Sequence, residues 1–168
     1  MNLSNFLDLM NADLRNEWTH LQFYLYHASA ITGFHALEFK EFFTDAAAGE
    51  MKHVQAFLDR LYGLNYPTPN QSGLQFPVFT TVEGALAHAI KIEEEVVTNY
   101  ALRLKQLEDV AKVFQKEAAY LTVFYEDQLQ DSYEDAERMK RIVHQTASSV
   151  LERAGFTART QPDAGRWA

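Results

Sequence analysis

The sequence predicts an all-α protein, a four-helix bundle with one long crossover between helices two and three and a short C-terminal helix. The 168 residues are 47% hydrophobic and 13% aromatic, which is enough to bury the core of a single domain. Apolar residues recur at helical spacing in four long segments. Residues 64–80 carry three prolines and a glycine between the second and third segments, a composition typical of a loop.

The first two helices are predicted to form an antiparallel pair. The first begins at the N-cap Asn2 and ends at Gly33, and the second runs from about His35 to Tyr62, before Gly63. The connection between them is short, which favours neighbouring antiparallel helices. The inward positions of the first helix are predicted to be Leu3, Phe6, Met10, Leu14, Glu17, Leu21, Tyr24, Ala28 and Ile31.

The long loop determines the direction of the third helix. About 18 extended residues reach up to ~60 Å, whereas a helix of about 28 residues spans ~42 Å. The loop can therefore run the length of the bundle and start the third helix parallel to the second. Thr80 and Glu83 have the spacing of a capping box at the start of that helix.

The last two helices are separated by a predicted break near Asp109. Inward positions of the third helix are Leu86, Ile90, Glu93, Val97, Tyr100, Leu104 and Leu107, and those of the fourth are Phe114, Leu121, Phe124, Gln128, Asp131, Asp135, Met139 and Ile142. A second break is expected near Gln145, because the fourth helix would otherwise be far longer than its partners. Residues 147–154 would then form the short fifth helix, with a domain over residues 1–155 and a tail over 156–168.

Composition excludes several classes of function. A net charge of −8 argues against nucleic-acid binding, which needs a basic surface. The sequence has no cysteine, which excludes disulfides, thiolate metal sites and iron–sulfur clusters. No apolar run approaches the roughly 18 residues of a membrane span. The first residues lack the basic segment of a secretory signal, so a cytoplasmic location is expected.

Metal-ligating side chains occupy the predicted apolar stripe of every helix. Glu50 and His53 leave the second helix on the same face, one turn apart. Glu17 lies in the stripe of the first helix, and Gln128 with Asp131 in that of the fourth. A buried carboxylate is costly alone, whereas carboxylates and an imidazole aimed at one point suit a divalent metal.

Two choices of residue stay open on the third and fourth helices. Glu93 lies at the centre of the third stripe, with Glu94 about 100° off it as the reserve candidate. On the fourth helix, Glu126 is near Gln128 and Asp131 in sequence but points away from the apolar centre. A bundle with buried polar residues satisfied by one another is the alternative to a metal site, and several such residues at one depth make it costly.

The histidines other than His53 are predicted to have simpler roles. His20 lies three residues after Glu17 and is expected either to reach an accessory metal or to hydrogen-bond on the helix face. The histidines predicted to lie on the surface are His27, His35, His88 and His144.

The segment Glu50-Met51-Lys52-His53, with Glu17, Tyr24 and Glu93, resembles the ferritin/bacterioferritin family over about residues 1–155. This resemblance implies the ferritin-like version of the bundle and a ferroxidase centre for two irons. Glu17 and Glu93 would be terminal ligands, Glu50 would bridge the irons, and His53 would complete the shell of one iron. Tyr24 would lie close by as a redox-active or hydrogen-bonding partner.

The fourth helix departs from the bacterioferritin pattern, which has a second Glu-x-x-His there. This sequence has Gln128 and Asp131, and residues 120–128 look more like the non-haem ferritins, which use a glutamine. The second iron would then be held by Glu93, the bridge, and either the amide of Gln128 or the carboxylate of Asp131. Since an amide is a weak ligand, two unequal iron affinities are expected.

The resemblance also places Met51 where bacterioferritins bind haem b between two subunits, and a plain interface methionine is the alternative. The implied function is that of an iron-storage ferritin with ferroxidase activity. Such a protein oxidises Fe²⁺ with O₂ or H₂O₂ and stores ferric mineral in a homo-oligomeric shell, here expected to have 24 subunits because of the fifth helix.

Two other functions are alternatives. A rubrerythrin-like di-iron or di-manganese peroxidase would use the same site without storing mineral, but the lack of cysteine removes the usual rubredoxin electron donor. A small-shell DNA-protecting protein would place its iron site between subunits. The set of ligands within one chain and the negative charge both argue against that function.

Overall fold

The computed structural model describes the backbone of residues 1–153 and the side chains of residues 1–144. Four helices follow one another along the chain: α1 (Leu3–Ala30), α2 (Ala36–Gly63), α3 (Val82–Ala111) and α4 (Gln115–Arg153). The predicted all-α four-helix bundle is confirmed. The predicted domain boundary at residue 155 and the tail lie outside the described residues.

The crossover between α2 and α3 gives the bundle its topology. α1 packs along α2, and α3 packs along α4. Asp13 pairs with Arg103 and Tyr24 with Glu93, so residue numbers rise along α1 while they fall along α3. α1 is therefore antiparallel to α3, and α2 runs parallel to α3 as the loop length predicts.

Side-chain caps mark the starts of α1 and α3. The Asn2 side chain accepts a 2.8 Å hydrogen bond from the Asn5 amide, as expected. For α3 the predicted cap was wrong by one residue, because the Thr80 carbonyl accepts a 3.1 Å bond from the Thr32 amide at the end of α1. Thr81 caps the helix instead, its hydroxyl accepting from the next turn at 3.2 Å.

His27 anchors the crossover from inside the bundle, so its predicted surface position was wrong. Its Nδ1–H donates to the Phe23 carbonyl at 2.7 Å, and its Nε2 accepts from the Phe79 amide at 2.9 Å. The loop returns over this face of α1 and buries the ring completely. Arg15 donates to the carbonyls of Ser72 at 3.1 Å and Gly73 at 3.4 Å, which holds the middle of the loop.

The break predicted near Gln145 was wrong, because α4 continues without interruption to Arg153. Residues 147–153 are the last turns of α4, and residue 154 lies outside the described part of the chain. α4 has 39 residues against 28 to 30 in the other three helices, so the length of its partners does not limit it. Over the residues that the structure describes, none of the helices is long and apolar enough to cross a membrane.

Two apolar clusters fill the bundle, one towards each end. The first includes Phe6, Met10, Phe57, Leu107 and Leu121. The second includes Phe23, Phe43, Ala89 and Met139. On each helix, buried polar residues lie between the residues of the two clusters, and this polar layer at mid-bundle is the candidate site.

Candidate metal centre

The polar layer consists of side chains from all four helices. Its buried members are Glu17 and His20 of α1, Glu50 and His53 of α2, Glu93 of α3, and Gln128 and Ser132 of α4. Each helix places them there because their positions continue its apolar stripe at intervals of three or four residues. Buried carboxylates with apolar side chains above and below need a compensating partner.

The first donor group joins α1 to α2. One ligand atom each from Glu17, Glu50 and His53 lie within 4.8 Å of one another. His53 Nδ1 is 3.2 Å from Glu17 Oε2 and 3.4 Å from Glu50 Oε2. Two carboxylates and one imidazole that converge in this way can hold a divalent metal ion.

The second donor group lies beside the first and shares one residue with it. Ligand atoms of His20, Glu50 and Glu93 also lie within 4.8 Å of one another, and all three residues are buried. Glu50 therefore belongs to both groups. A carboxylate has two oxygens, so it can serve two adjacent metal positions.

Two tyrosines hold the outer carboxylates, each from the opposite helix. Tyr24 of α1 donates a 2.6 Å hydrogen bond to Glu93 Oε1 of α3. Tyr100 of α3 donates to Glu17 Oε1 of α1. Burial, together with these carboxylates, raises the pKa of both tyrosines well above the ordinary value, so both hydroxyls keep their protons and act as donors.

The metal-free site holds protons as well as charge. Burial and the charge of Glu17 raise the pKa of Glu50 well above its ordinary value. Burial opposes ionisation of Glu17 and His53, but their mutual hydrogen bond and their interactions with Glu50 lower the pKa of Glu17 to about 2 and raise that of His53 to about 11. Burial raises the pKa of Glu93 to about 7, against the hydrogen bond from Tyr24. A metal must therefore displace protons from His53 and Glu50.

Hydrogen bonds within the polar layer leave some of its buried polar atoms unsatisfied, and metal ions could satisfy them. Three buried polar atoms of the layer have no hydrogen-bond partner: His20 Nδ1, Glu50 Oε2 and Gln128 Oε1. Such atoms are rare in native proteins and call for an explanation. All three have lone pairs that a cation accepts, so these residues fit a metal site.

On α4, the two predicted ligands lie in different environments. Gln128 is buried, as predicted, and Glu126 is exposed. The inward position predicted for Asp131 was wrong, because its side chain is 61% exposed and reaches only the rim, 3.7 Å from His53 Nε2. The residue after it, Ser132, takes the inward place because the stripe of α4 advances by four residues there.

The structure also shows where Glu93, Glu94 and Met51 lie. Glu93 is buried, whereas Glu94 is exposed and pairs with Lys140 at 2.9 Å, so Glu93 is the one that faces the site. Met51 is 48% exposed on the outer surface of α2. The roles predicted for Glu93 as a ligand and for Met51 in haem binding stay predictions.

Sequence reasoning left three residues of this centre without a firm role. His20 has the same i to i+3 relation to Glu17 that His53 has to Glu50, and that spacing was the available signal. Tyr100 follows Glu93 by seven residues, as Tyr24 follows Glu17. Asp135 is half-buried at the rim, where its charge helps to raise the pKa of Glu93, after burial as the main cause.

Solved structures with the same fold are similar to this chain at low sequence identity. A ferritin-like diiron-carboxylate protein from Bacillus anthracis str. Ames is 22% identical with a TM-score of 0.73, covering 84% of this chain and 99% of its own. BfrA from M. tuberculosis is 17% identical with a TM-score of 0.73, covering 91% and 88%. A dodecameric thioferritin, the bacterioferritin-related protein of Bacteroides fragilis, is 16% identical with a TM-score of 0.68, covering 90% and 93%.

No curated protein sequence matches the chain significantly. The Ferritin-like domain family, in contrast, matches residues 7–149, which include α2, α3, most of α1 and α4, and every residue of the polar layer. The chain therefore belongs to the family of ferritin-like domain proteins.

Proposed function

We propose that this protein is an iron-storage ferritin with ferroxidase activity, which oxidises Fe²⁺ within each subunit and stores the ferric product in an oligomeric shell. The observation that carries the proposal is the position of Glu50. It belongs to two three-residue donor groups whose ligand atoms lie within 4.8 Å of one another. Such an arrangement supports two adjacent iron ions with a carboxylate between them.

The roles of the residues follow from their neighbours. Glu50 bridges the two iron positions, Glu17 and His53 complete the first, and Glu93 is the outer carboxylate of the second. Gln128 offers a neutral oxygen from α4. Asp131 lies by Nε2, the ring nitrogen of His53 farther from Glu17, where a carboxylate orients a ligating imidazole.

Tyr24 acts on the reaction through Glu93 in this proposal. Its hydroxyl keeps its proton and donates to Oε1, which leaves Oε2 free for iron and fixes the direction of the carboxylate. The apolar clusters on both sides exclude bulk water, so the ionic attraction of the carboxylates for iron is stronger than at the surface. Carboxylates bind Fe³⁺ more strongly than Fe²⁺, which favours oxidation.

The overall chemistry balances with dioxygen as the oxidant. Two bound Fe²⁺ ions supply two electrons, and one O₂ takes them up with two protons to give H₂O₂ and two Fe³⁺ ions. When H₂O₂ is the oxidant, the same two electrons and two protons convert it to two water molecules.

Storage requires an enclosed volume that one bundle lacks, because its interior is filled with side chains. We therefore propose a closed homo-oligomeric shell in the cytoplasm. The expected number of 24 subunits rested on a separate fifth helix, which is not formed through residue 153 because α4 is unbroken to that point. The B. fragilis protein of the same fold is a dodecamer by its own description, so the smaller shell is the competing size. The predicted binding of haem b at the exposed Met51 stays a prediction, and the proposal does not depend on it.

Anaerobic addition of two Fe²⁺ per chain to the metal-free protein, followed by O₂, tests the chemistry. A rapid rise in ferric absorbance is expected, slowed at least about tenfold in Glu50→Ala and His53→Ala, because each variant removes a ligand. Glu94→Ala is the matched control, since this exposed neighbour of Glu93 lies outside both donor groups. Equal rates in all four proteins would contradict the proposal.

Light scattering after size exclusion tests the storage part separately. A closed shell of hundreds of kilodaltons that accumulates ferric mineral beyond two irons per chain is expected. A monomer or dimer with rapid oxidation would instead support the rubrerythrin-like peroxidase.

A further inference from the structure

We infer that His20 is the nitrogen ligand of the second iron position, so that α1 and α2 each supply one Glu-x-x-His pair to the centre. The assignment rests on the proposed function, since it concerns the same pair of metal positions. It goes beyond the family resemblance, which leaves the second iron without an imidazole. In this inference the second iron position is bound by the Glu50 and Glu93 carboxylates together with the imidazole of His20.

The geometry of His20 supports the inference first. Its side chain is only 8% exposed, and one of its ring nitrogens lies within 4.8 Å of ligand oxygens of both Glu50 and Glu93. No other histidine within residues 1–144 stands in that group. The position is also built by the helix itself, because residue 20 lies one turn beyond Glu17 on the same face.

The unpartnered nitrogen of His20 is the second support. Its Nδ1 is buried and has no hydrogen-bond partner. The buried His27, seven residues further along α1, satisfies both ring nitrogens with backbone groups. A histidine with a packing role is expected to resemble His27 in this respect.

The inference changes what is expected of helix α4. Sequence reasoning assigned the second iron to Glu93, the bridge and a donor from α4. With His20 in place, three ligands reach that position from α1, α2 and α3, and Gln128 becomes an additional weak donor. The second position then binds metal nearly as tightly as the first, and the expected gap between the two affinities closes.

Equilibrium dialysis of the assembled, metal-free protein against Zn²⁺ tests the assignment without any redox activity. Two Zn²⁺ per chain are expected for the wild type. In His20→Asn one of them should be weakened at least about tenfold, because loss of an outer partner alone weakens metal binding by 10–100-fold.

Two further variants separate this inference from the proposed function. Glu50→Gln should lose both tight ions, and two tight ions there would overturn the proposed function itself. His20→Asn with two ions of wild-type affinity would overturn only the assignment of His20. His88→Asn changes a half-buried histidine of α3 that stands outside both donor groups, and equal losses in both histidine variants would also overturn the assignment.

X-ray absorption of the Zn²⁺-loaded wild type provides a readout that needs no variant. An average of one imidazole per zinc is expected if His20 and His53 each bind one ion. An average of one imidazole for every two zinc ions would show that only His53 binds, and would overturn the inference.

Discussion

The Tyr24 hydroxyl donates a 2.6 Å hydrogen bond to Glu93 Oε1, joining α1 to α3 across the middle of the bundle. Tyr100 returns the same kind of bond from α3 to Glu17 of α1. On each helix the tyrosine follows the glutamate by seven residues. Because the two helices are antiparallel, the glutamate of one helix faces the tyrosine of the other. Each outer carboxylate of the centre thus has one oxygen held by a phenol.

Tyr24→Phe should slow iron oxidation while the protein still binds Fe²⁺. The variant removes one hydrogen bond to a charged group, worth about 1.5–3 kcal/mol, so a change of roughly tenfold or more is expected in the rate. Stopped-flow ferric absorbance and anaerobic Fe²⁺ titration measure the two effects. Tyr26→Phe, at an exposed tyrosine on the same helix, is the control. A wild-type rate in Tyr24→Phe would remove this residue from the mechanism.

The metal-free protein should become less stable as the pH rises from about 5 to about 7. Burial raises the pKa of Glu93 to about 7 from 4.5. A carboxyl with a raised folded-state pKa contributes stability below its unfolded pKa, and this is lost as the pH passes the folded value. The shift corresponds to a loss on the order of 3 kcal/mol. Urea unfolding in EDTA across this pH range measures it.

Glu93→Gln should flatten that pH dependence, because the amide stays neutral and still accepts the bond from Tyr24. Glu94→Gln, at the exposed neighbour, should leave the slope unchanged. Two equally steep profiles for wild type and Glu93→Gln would show that another group causes the dependence.

Removing one partner of the buried ion pair between Asp13 and Arg103 should destabilise the protein more than replacing the whole pair. Arg103 donates to both oxygens of Asp13, at 2.8 and 3.0 Å, and Tyr125 donates to the same carboxylate at 2.8 Å. Arg103→Met leaves the carboxylate unpaired and should lower the free energy of unfolding by about 3–5 kcal/mol.

The triple variant Asp13→Leu, Arg103→Met, Tyr125→Phe removes all three polar partners and should recover most of that loss. Urea unfolding at one fixed protein concentration compares the variants, since assembly contributes to stability. A triple variant less stable than Arg103→Met would contradict the expectation.

His27→Phe should loosen the crossover, because the Phe79 amide loses its acceptor while the ring volume is kept. An unsatisfied buried donor costs about 1–3 kcal/mol. Faster proteolysis within residues 64–81 is expected, followed on gels in the presence of bound metal. His35→Phe, at an exposed histidine, is the control. Equal cleavage rates would show that His27 does not hold the loop in place.

The sequence by itself determined the four helices and most of the buried polar layer. Glu17, Glu50, His53 and Glu93 could be placed because a helix repeats its inward positions every three to four residues, and each of these polar residues interrupts an otherwise apolar stripe. The direction of α3 also followed from sequence, since chain geometry limits how far the loop can reach.

Only the tertiary structure decided which polar residues meet. Spacing along one helix does not show what lies opposite it, so the phenol–carboxylate pairs, the burial of His27 beneath the crossover and the approach of His20 to Glu93 could not be predicted. The predicted inward position of Asp131 was wrong for a related reason. The inward face of a long helix drifts relative to a fixed repeat, and by the middle of α4 a shift of one residue moves a side chain from the core to the rim. These relationships depend on the rotation of each helix against its neighbours, which packing of the whole bundle determines.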